Sequence, residues 1–321
     1  MPRTDGKAVA YALLALTALF WSGNVVVGRA VAGEIPPFAL TFWRWLLALA
    51  ILLPFAWPGL RGKGPLIRRH WKILGLFGLL GVIGFNAFGY IAFHGTSALN
   101  AALINTLLPI MVVALSWALW RETLSRQQTL GIAISLLGTS AILARGDIAV
   151  LGALDVTRGD LWMLAAAASY ALYTALLRLR PPELDEPAFL VVIGAFGAVA
   201  LLPLVIGETI AVGAMPLTQR SLAAVAYVAV FSSLLGYIFW NRGIAMVGAD
   251  RGAVFLHLMP VFTAGLGMMY LDEAPRPYHG LGMALILGGL LLVNRRVPGR
   301  AVPGAGPAAG GDSRAPGGRR D

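Results

Sequence analysis

The sequence predicts an all-α integral membrane protein of ten transmembrane helices, arranged as two inverted five-helix repeats. Three observations carry this: long uninterrupted apolar blocks, basic residues gathered in alternate connectors, and residues that recur at one fixed offset. Of the 321 residues, 58% are hydrophobic and 12% charged, about half the charged share of a soluble domain. The apolar residues come in blocks of roughly 16–25 without Asp, Glu or Lys, the length that crosses a hydrocarbon core of about 30 Å at 1.5 Å per residue. Backbone polar groups in lipid must be paired within the protein, which leaves helices or a closed barrel. A barrel would show short alternating segments, so the continuous blocks read as helices.

The expected spans are 8–27, 38–57, 73–93, 98–120, 129–144, 161–179, 188–206, 222–240, 253–270 and 278–293. Asp160 is placed to N-cap the sixth. Connectors are short, so sequence neighbours should pack together. The first repeat covers 1–148 and the second, inverted, covers 149–297. Residues 298–321, rich in Gly, Pro, Ala and Arg without an apolar face, are expected to be a disordered cytoplasmic tail. Lys7, the first apolar run and Ala30-Val31-Ala32 mimic a signal peptide. The polar stretch Ser22 to Asn24 interrupts that run, and the site would lie about ten residues past the apolar core, so cleavage is not expected.

Basic residues fix the orientation. With the N-terminus inside, one side holds Arg3, Lys7, Arg61, Lys63, Arg68, Arg69, Lys72, Arg121, Arg126, Arg178, Arg180, Arg242 and Arg251. The other holds Arg29, Arg145, Arg158, Arg220 and Arg276. Both termini are then cytoplasmic, and Arg295 and Arg296 agree. The net charge of +10 sits in these connectors, where it sets topology and meets anionic lipid. It does not imply a nucleic-acid partner.

Pro109, Glu122, Gly131 and Gly138 recur as Pro260, Glu273, Gly282 and Gly289, each displaced by 151 residues. The fourth span thus matches the ninth and the fifth matches the tenth. Five spans per half is an odd number, so the second half enters the membrane upside down. Inverted repeats of this kind are a recurrent plan of secondary transporters, with substrate near the midplane between the halves.

Phe20-Trp21-Ser22-Gly23-Asn24 in the first helix, the Arg-containing second helix, Thr96-Ser97-Ala98 before the fourth, and the Pro–Glu–Gly pattern in both halves resemble the EamA-type family of the drug/metabolite transporter superfamily. The resemblance spans about residues 8–295. It implies ten helices, cytoplasmic termini in a bacterial-type inner (plasma) membrane, and alternating access through a central cavity lined mainly by helices one, three, four, six, eight and nine. It also implies export of small metabolites, amino acids above all. Export of drugs, nucleosides or sugars is the alternative within the superfamily. A non-transporting receptor or scaffold is the alternative outside it.

Polar groups within spans are expected at the cavity or between helices. In the first helix Thr17, Trp21, Asn24 and Gly28 share a face, with Trp21 a candidate apolar wall and Asn24 a candidate hydrogen-bonding point. Asn86 and Tyr90 share a face of the third helix with His94. Tyr173 and Ser169 align in the sixth, with Tyr170 beside them, and Ser233 and Tyr237 align in the eighth. Trp162 and Trp240 lie near span ends, where an aromatic belt is normal. Asn105 and His257 stand close to Pro109 and Pro260, whose missing N–H can kink a helix for gating or free a carbonyl. The substrate-binding candidates are therefore Trp21, Asn24, Asn86, Tyr90, Asn105, Tyr170, Tyr173, Ser233, Tyr237 and His257.

Arg44 is the basic residue deepest in a span, about 10 Å along the second helix. A structural role is expected: snorkelling or stacking between Trp43 and Trp45, with attraction of a substrate carboxylate as the alternative. Glu122 and Glu273 end their helices against the macrodipole and are expected to pair with Arg126 and Arg276 in gating or structural contacts. Gly75, Gly78, Gly81 and Gly84 mark a close helix approach.

No cysteine is present, and no catalytic constellation, metal site or cofactor motif is found, so no enzyme activity is expected. The fifteen Asp and Glu fall in loops, tails or span ends, which points to a facilitator, or to coupling through His257. The expected partners are a small-molecule substrate and membrane lipid. Oligomeric state is left open, a monomer being plausible.

Overall fold

The computed structural model describes residues 4–96, 98–147, 149, 157–270 and 276–294. Among the described residues the chain is overwhelmingly helical, with no strand. The main helices are α1 Thr4–Val31, α2 Pro37–Leu60, α3 Trp71–Ala92, α4 Ala98–Thr106, α5 Leu108–Trp120 and α6 Arg126–Leu143. They continue with α7 Arg158–Leu176, α8 Glu186–Val212, α9 Gln219–Val247, α10 Met259–Tyr270 and α11 Pro277–Asn294. Short helices at Gly64–Arg69 and Ala249–Gly252 and 3-10 segments at Leu177–Leu179 and Ala253–Leu258 complete the order among the described residues.

Among the described residues eight helices are long and apolar enough to cross a membrane: α1, α2, α3, the α4–α5 rod from Asn100, α7, α8, α9 and α11. The expected fifth and ninth spans correspond to α6 and to the 249–270 stretch. Helix α6 has 18 residues and carries Gln127, Gln128, Thr129, Ser135 and Thr139. The other stretch is broken by its 3-10 segment, leaving 12 residues in α10. Large apolar side chains stand exposed on the outside, Phe55 at 73%, Ile210 at 82% and Leu291 at 74%. An apolar exterior of that kind suits lipid and would be a liability in water.

Helix starts follow local chemistry. Ser125 and Gln128 form a capping box for α6, and Asp185 caps α8 through the Ala188 amide. For α7 the N-cap is Thr157, not Asp160. Asp160 sits three residues further on and reaches back to the Thr157 amide at 2.8 Å, closing the box. Helix α2 begins after Pro36, which offers no side-chain cap. Glu208 supplies one from α8: its two carboxylate oxygens accept from the Phe38 and Ala39 amides at 3.1 and 2.8 Å. Helix α8 runs six residues beyond the expected 206, passing Pro203 unbroken, and this brings Glu208 into place.

Two π-helical stretches, Leu79–Ala87 inside α3 and Val228–Leu235 inside α9, loosen the regular ladder. Side chains take up carbonyls there. Asn86 Nδ2 donates to Gly81 and Val82 O at 2.6 and 3.2 Å, and Trp21 Nε1 donates to Ser232 O at 3.1 Å. Gly78 faces the Ile193 backbone of α8, and Gly81 faces the Tyr173 ring.

Helices α6 and α11 cross backbone to backbone. A Cβ on Gly131 would lie 2.8 Å from Gly289 O, and one on Gly289 would lie 2.5 Å from Gly131 O. Gly138 and Gly282 meet in the same reciprocal way, at 2.6 and 2.7 Å. The opposed order of the two pairs makes the crossing antiparallel.

Candidate functional site

A cleft of about 590 Å³, counting its mouth, opens between α1, α3, the α4–α5 rod, α7 and the segment around Leu256. Helix α1 contributes Trp21, Asn24 and Val25. Helix α3 and the turn after it contribute Phe85, Asn86, Gly89, Tyr90 and Phe93. Asn105 and Leu108 flank the break between α4 and α5, Met163 and Ala166 come from α7, and Leu256 and Met259 close the ring. The wall is largely apolar, with three amides and one phenol as its polar groups.

Behind Asn24 and Tyr90 lies Arg44, 1% exposed. Its Nε donates to Ser233 Oγ at 2.6 Å, and its Nη1 donates to the Tyr90 hydroxyl at 2.6 Å and to Asn24 Oδ1 at 3.3 Å. Tyr90 in turn donates to Asn24 Oδ1 at 2.8 Å. Among the described residues no carboxylate lies within 4 Å of this guanidinium. Arg44 neither snorkels nor stacks between its tryptophans. Its Cζ lies 5.8 Å from the Tyr90 ring centre, while Trp43 is 43% exposed and Trp45 packs edge-on against Tyr237.

Below the cleft the interior is closed by aromatic packing. Trp21 meets Tyr170 edge-on at 5.1 Å, Tyr170 stacks on Tyr173 at 5.3 Å, and Phe77 bridges Tyr173 and Phe189. Tyr237 donates to Gly81 O and accepts from Asn86 Nδ2, and the Tyr173 hydroxyl donates to Asn241 Oδ1 at 3.0 Å. Trp240 is fully buried here and donates to Thr174 Oγ1 at 3.2 Å, so it is a core residue, not part of an interfacial belt. Trp162 is 41% exposed and lies against Phe88.

The ten sequence candidates therefore fall into two groups. Trp21, Asn24, Asn86, Tyr90 and Asn105 line the cleft. Tyr170, Tyr173 and Tyr237 form the packed layer beneath it, Ser233 anchors Arg44, and His257 is buried between Ser135 and the Thr106 carbonyl. A carbonyl can only accept, so the 3.1 Å contact of His257 Nε2 with Thr106 O puts a hydrogen on Nε2. His257 Nδ1 lies 2.5 Å from Ser135 Oγ. The predicted face of α1 splits: Thr17 donates within α1 to Leu13 O at 2.9 Å, with Gly236 O of α9 at 3.4 Å, Trp21 donates to Ser232 O of α9, and Asn24 Nδ2 has no partner among the described residues. Periodicity did not single out Phe85, Met163, Leu256 or Met259, which are ordinary apolar residues of their helices. Phe85 follows from the π stretch beside Asn86.

Pro109 and Pro260 are each the second residue of a helix that follows a break, α5 after Leu107 and α10 after the 3-10 segment. Glu122 pairs with Arg178 at 2.9 Å, not with Arg126, because α7 brings its C-terminal end beside α5. Glu273 and the tail 298–321 lie outside the described residues.

An apolar exterior over a helical bundle, with a polar-edged cleft inside it, is the build of a multi-pass membrane transporter. The chain belongs to the EamA-like transporter family, which it matches over residues 8–144 and 157–295, and with it to the drug/metabolite transporter superfamily. It is 26% identical to an uncharacterized transporter, YyaM, of Bacillus subtilis, over 88% of this chain and 92% of that one. It is 26% identical to a probable amino-acid metabolite efflux pump of Salmonella typhimurium, over 91% and 95%. A probable terminal-alkyne amino-acid exporter of Streptantibioticus cattleyicolor is also 26% identical, over 74% and 79%. A solved crystal structure shares the fold at a TM-score of 0.71 and 20% identity, covering 89% of this chain and 96% of its own.

Proposed function

We propose that this protein exports small metabolites, amino acids above all, across a bacterial-type inner membrane by alternating access. In this reading ten helices form two inverted repeats, 1–148 and 149–297, with both termini cytoplasmic. The observation that carries the substrate class is the cleft itself: neutral amides and a phenol on an apolar wall, with one buried guanidinium behind them. That chemistry suits a small zwitterion better than a polyanion. The names of the Salmonella and Streptantibioticus relatives point the same way.

The repeat reading draws support from helix bounds. Helix α6, Arg126–Leu143, and α11, Pro277–Asn294, match end to end at the 151-residue offset of the recurring prolines and glycines. The π stretches of α3 and α9 overlap at the same offset.

With the N-terminus inside, the cleft occupies the outer half of the bundle. The aromatic layer and the Arg180–Glu186 pair close the inner half. This is the state in which the path is sealed towards the cytoplasm. Among the described residues no Asp or Glu stands on the cleft wall, which favours facilitated movement over proton coupling.

The full chain in proteoliposomes, loaded with each of the twenty amino acids in turn, tests the proposal by counterflow. Exchange of one or more neutral amino acids is the expected result. Exchange of nucleosides, sugars or lipophilic cations without any amino acid would replace the substrate class, and no flux of any of them would favour a scaffold.

A further inference from the structure

The two amides on α1 and α3 are held with opposite polarity. Asn24 Oδ1 takes two donors, Arg44 Nη1 and the Tyr90 hydroxyl. A guanidinium cannot accept, so this amide cannot be flipped. Its Nδ2 hydrogens, without a protein partner among the described residues, are what Asn24 offers the cleft. Asn86 is fixed the other way. Its Nδ2 donates to the Gly81 and Val82 carbonyls and to Tyr237, and carbonyls can only accept, so its acceptor Oδ1 is what remains for the cleft. Asn105 has no partner among the described residues and can serve either group.

Charge reinforces the same polarity. Arg44 places a guanidinium in a low-dielectric interior, answered among the described residues by neutral oxygens. Its hydrogen bonds through Tyr90 and to Asn24 polarise that edge of the cleft towards donation. A buried charge without a counter-ion is costly, and an incoming anion at the Asn24 edge would relieve that cost.

We infer that the cleft is a polar cradle for a zwitterion: the substrate carboxylate lies at the Asn24–Tyr90 edge under the field of Arg44, and its ammonium is taken by Asn86 Oδ1. The remaining wall, Phe85, Phe93, Met163 and Met259, receives an uncharged apolar side chain. Arg44 is a positioning residue, acting through Asn24 and Tyr90. The inference rests on the amino-acid reading of the proposed function and assigns each end of the substrate to named residues.

The experiment is counterflow of labelled phenylalanine by the full chain in proteoliposomes, with competition by phenylalanine, phenylalaninamide and phenethylamine. The two analogues keep ring and ammonium and lack the carboxylate. In the wild type they should compete at least about tenfold more weakly than phenylalanine. In N24D the new carboxylate answers Arg44 and repels the substrate's own, so the preference should shrink to within about twofold or invert. R44K, which keeps the charge, should retain the order of preference, and R44Q should lose it. Elution profile and unfolding temperature report whether each variant is folded, and the wild-type series stands without them. Equal competition by all three compounds in the wild type, or an unchanged preference in folded N24D, overturns the inference and leaves the amino-acid reading intact. If no amino acid exchanges at all, both fall together.

Discussion

Asn86 donates a hydrogen bond to the hydroxyl of Tyr237 at 3.1 Å, and the two residues are 151 positions apart. His257 contacts the Thr106 carbonyl across the same 151 positions. A residue that touches its own counterpart in a two-fold arrangement sits on the axis. The reciprocal glycine contacts of α6 and α11 have that form as well, since Gly131 meets the counterpart of Gly138, and Gly138 meets the counterpart of Gly131. These contacts support the proposed repeat in space as the recurring residues do in sequence.

The Asn86–Tyr237 pair is expected to hold the two halves at their centre. Tyr237→Phe removes a donor to Gly81 O and an acceptor for Asn86, while Asn86 Nδ2 keeps the Gly81 and Val82 carbonyls. A loss of about 0.5–1.5 kcal/mol follows, readable as a lower unfolding temperature in detergent. An unchanged unfolding temperature would mean that the contact carries no load.

The α6–α11 crossing should tolerate no side chain. Gly289→Leu would drive a branched group into the Gly131 carbonyl and Ser135, at a cost of about 1–3 kcal/mol or more. Gly288→Leu, one residue away with nothing within 4 Å of its Cβ, should stay within about 0.5 kcal/mol of the wild type. Equal effects from the two would contradict the close approach.

Glu208 should matter as a remote cap. Glu208→Ala leaves the Phe38 and Ala39 amides without their acceptor and should cost about 1 kcal/mol. Amide exchange at the start of α2 should speed up, while the rest of the helix stays protected.

A pH gradient should not drive accumulation. The cleft wall carries no carboxylate among the described residues, and His257 faces Ser135 and Thr106. Substrate inside and outside proteoliposomes should equalise with or without an imposed gradient. Concentrative uptake that disappears in His257→Ala would instead make this histidine the coupling group.

Much of the fold could be read in the chain because hydrocarbon allows so few solutions: long apolar runs, basic connectors and two recurring prolines already located the helices and the breaks before α5 and α10. Helix α8 outran its expected end because Pro203 is tolerated and Glu208 has a use beyond it. The cleft was harder. Asn24, Asn86 and Asn105 stood out as amides in apolar spans. Tyr170, Tyr173 and Tyr237 have the same composition and spacing whether they line a pocket or fill a core, and they fill the core. The register shift of the π stretches and the polar partners of Arg44 depend on tertiary contacts, which periodicity along one helix does not encode.

The central claim, an inverted ten-helix architecture, is tested most directly by sidedness. In the proposed repeat the loops after α2 and α8 occupy matching places, and Arg61 and Ala214 in them are exposed. The chain has no cysteine, so Arg61→Cys and Ala214→Cys can each be labelled alone in intact cells with a membrane-impermeant maleimide. Five crossings between the two loops, with α6 among them, put the sites on opposite sides. Ala214→Cys should label from outside, and Arg61→Cys only after permeabilisation. If α6 did not cross, four crossings would leave both sites on one side, and labelling of both from the same face would contradict the account.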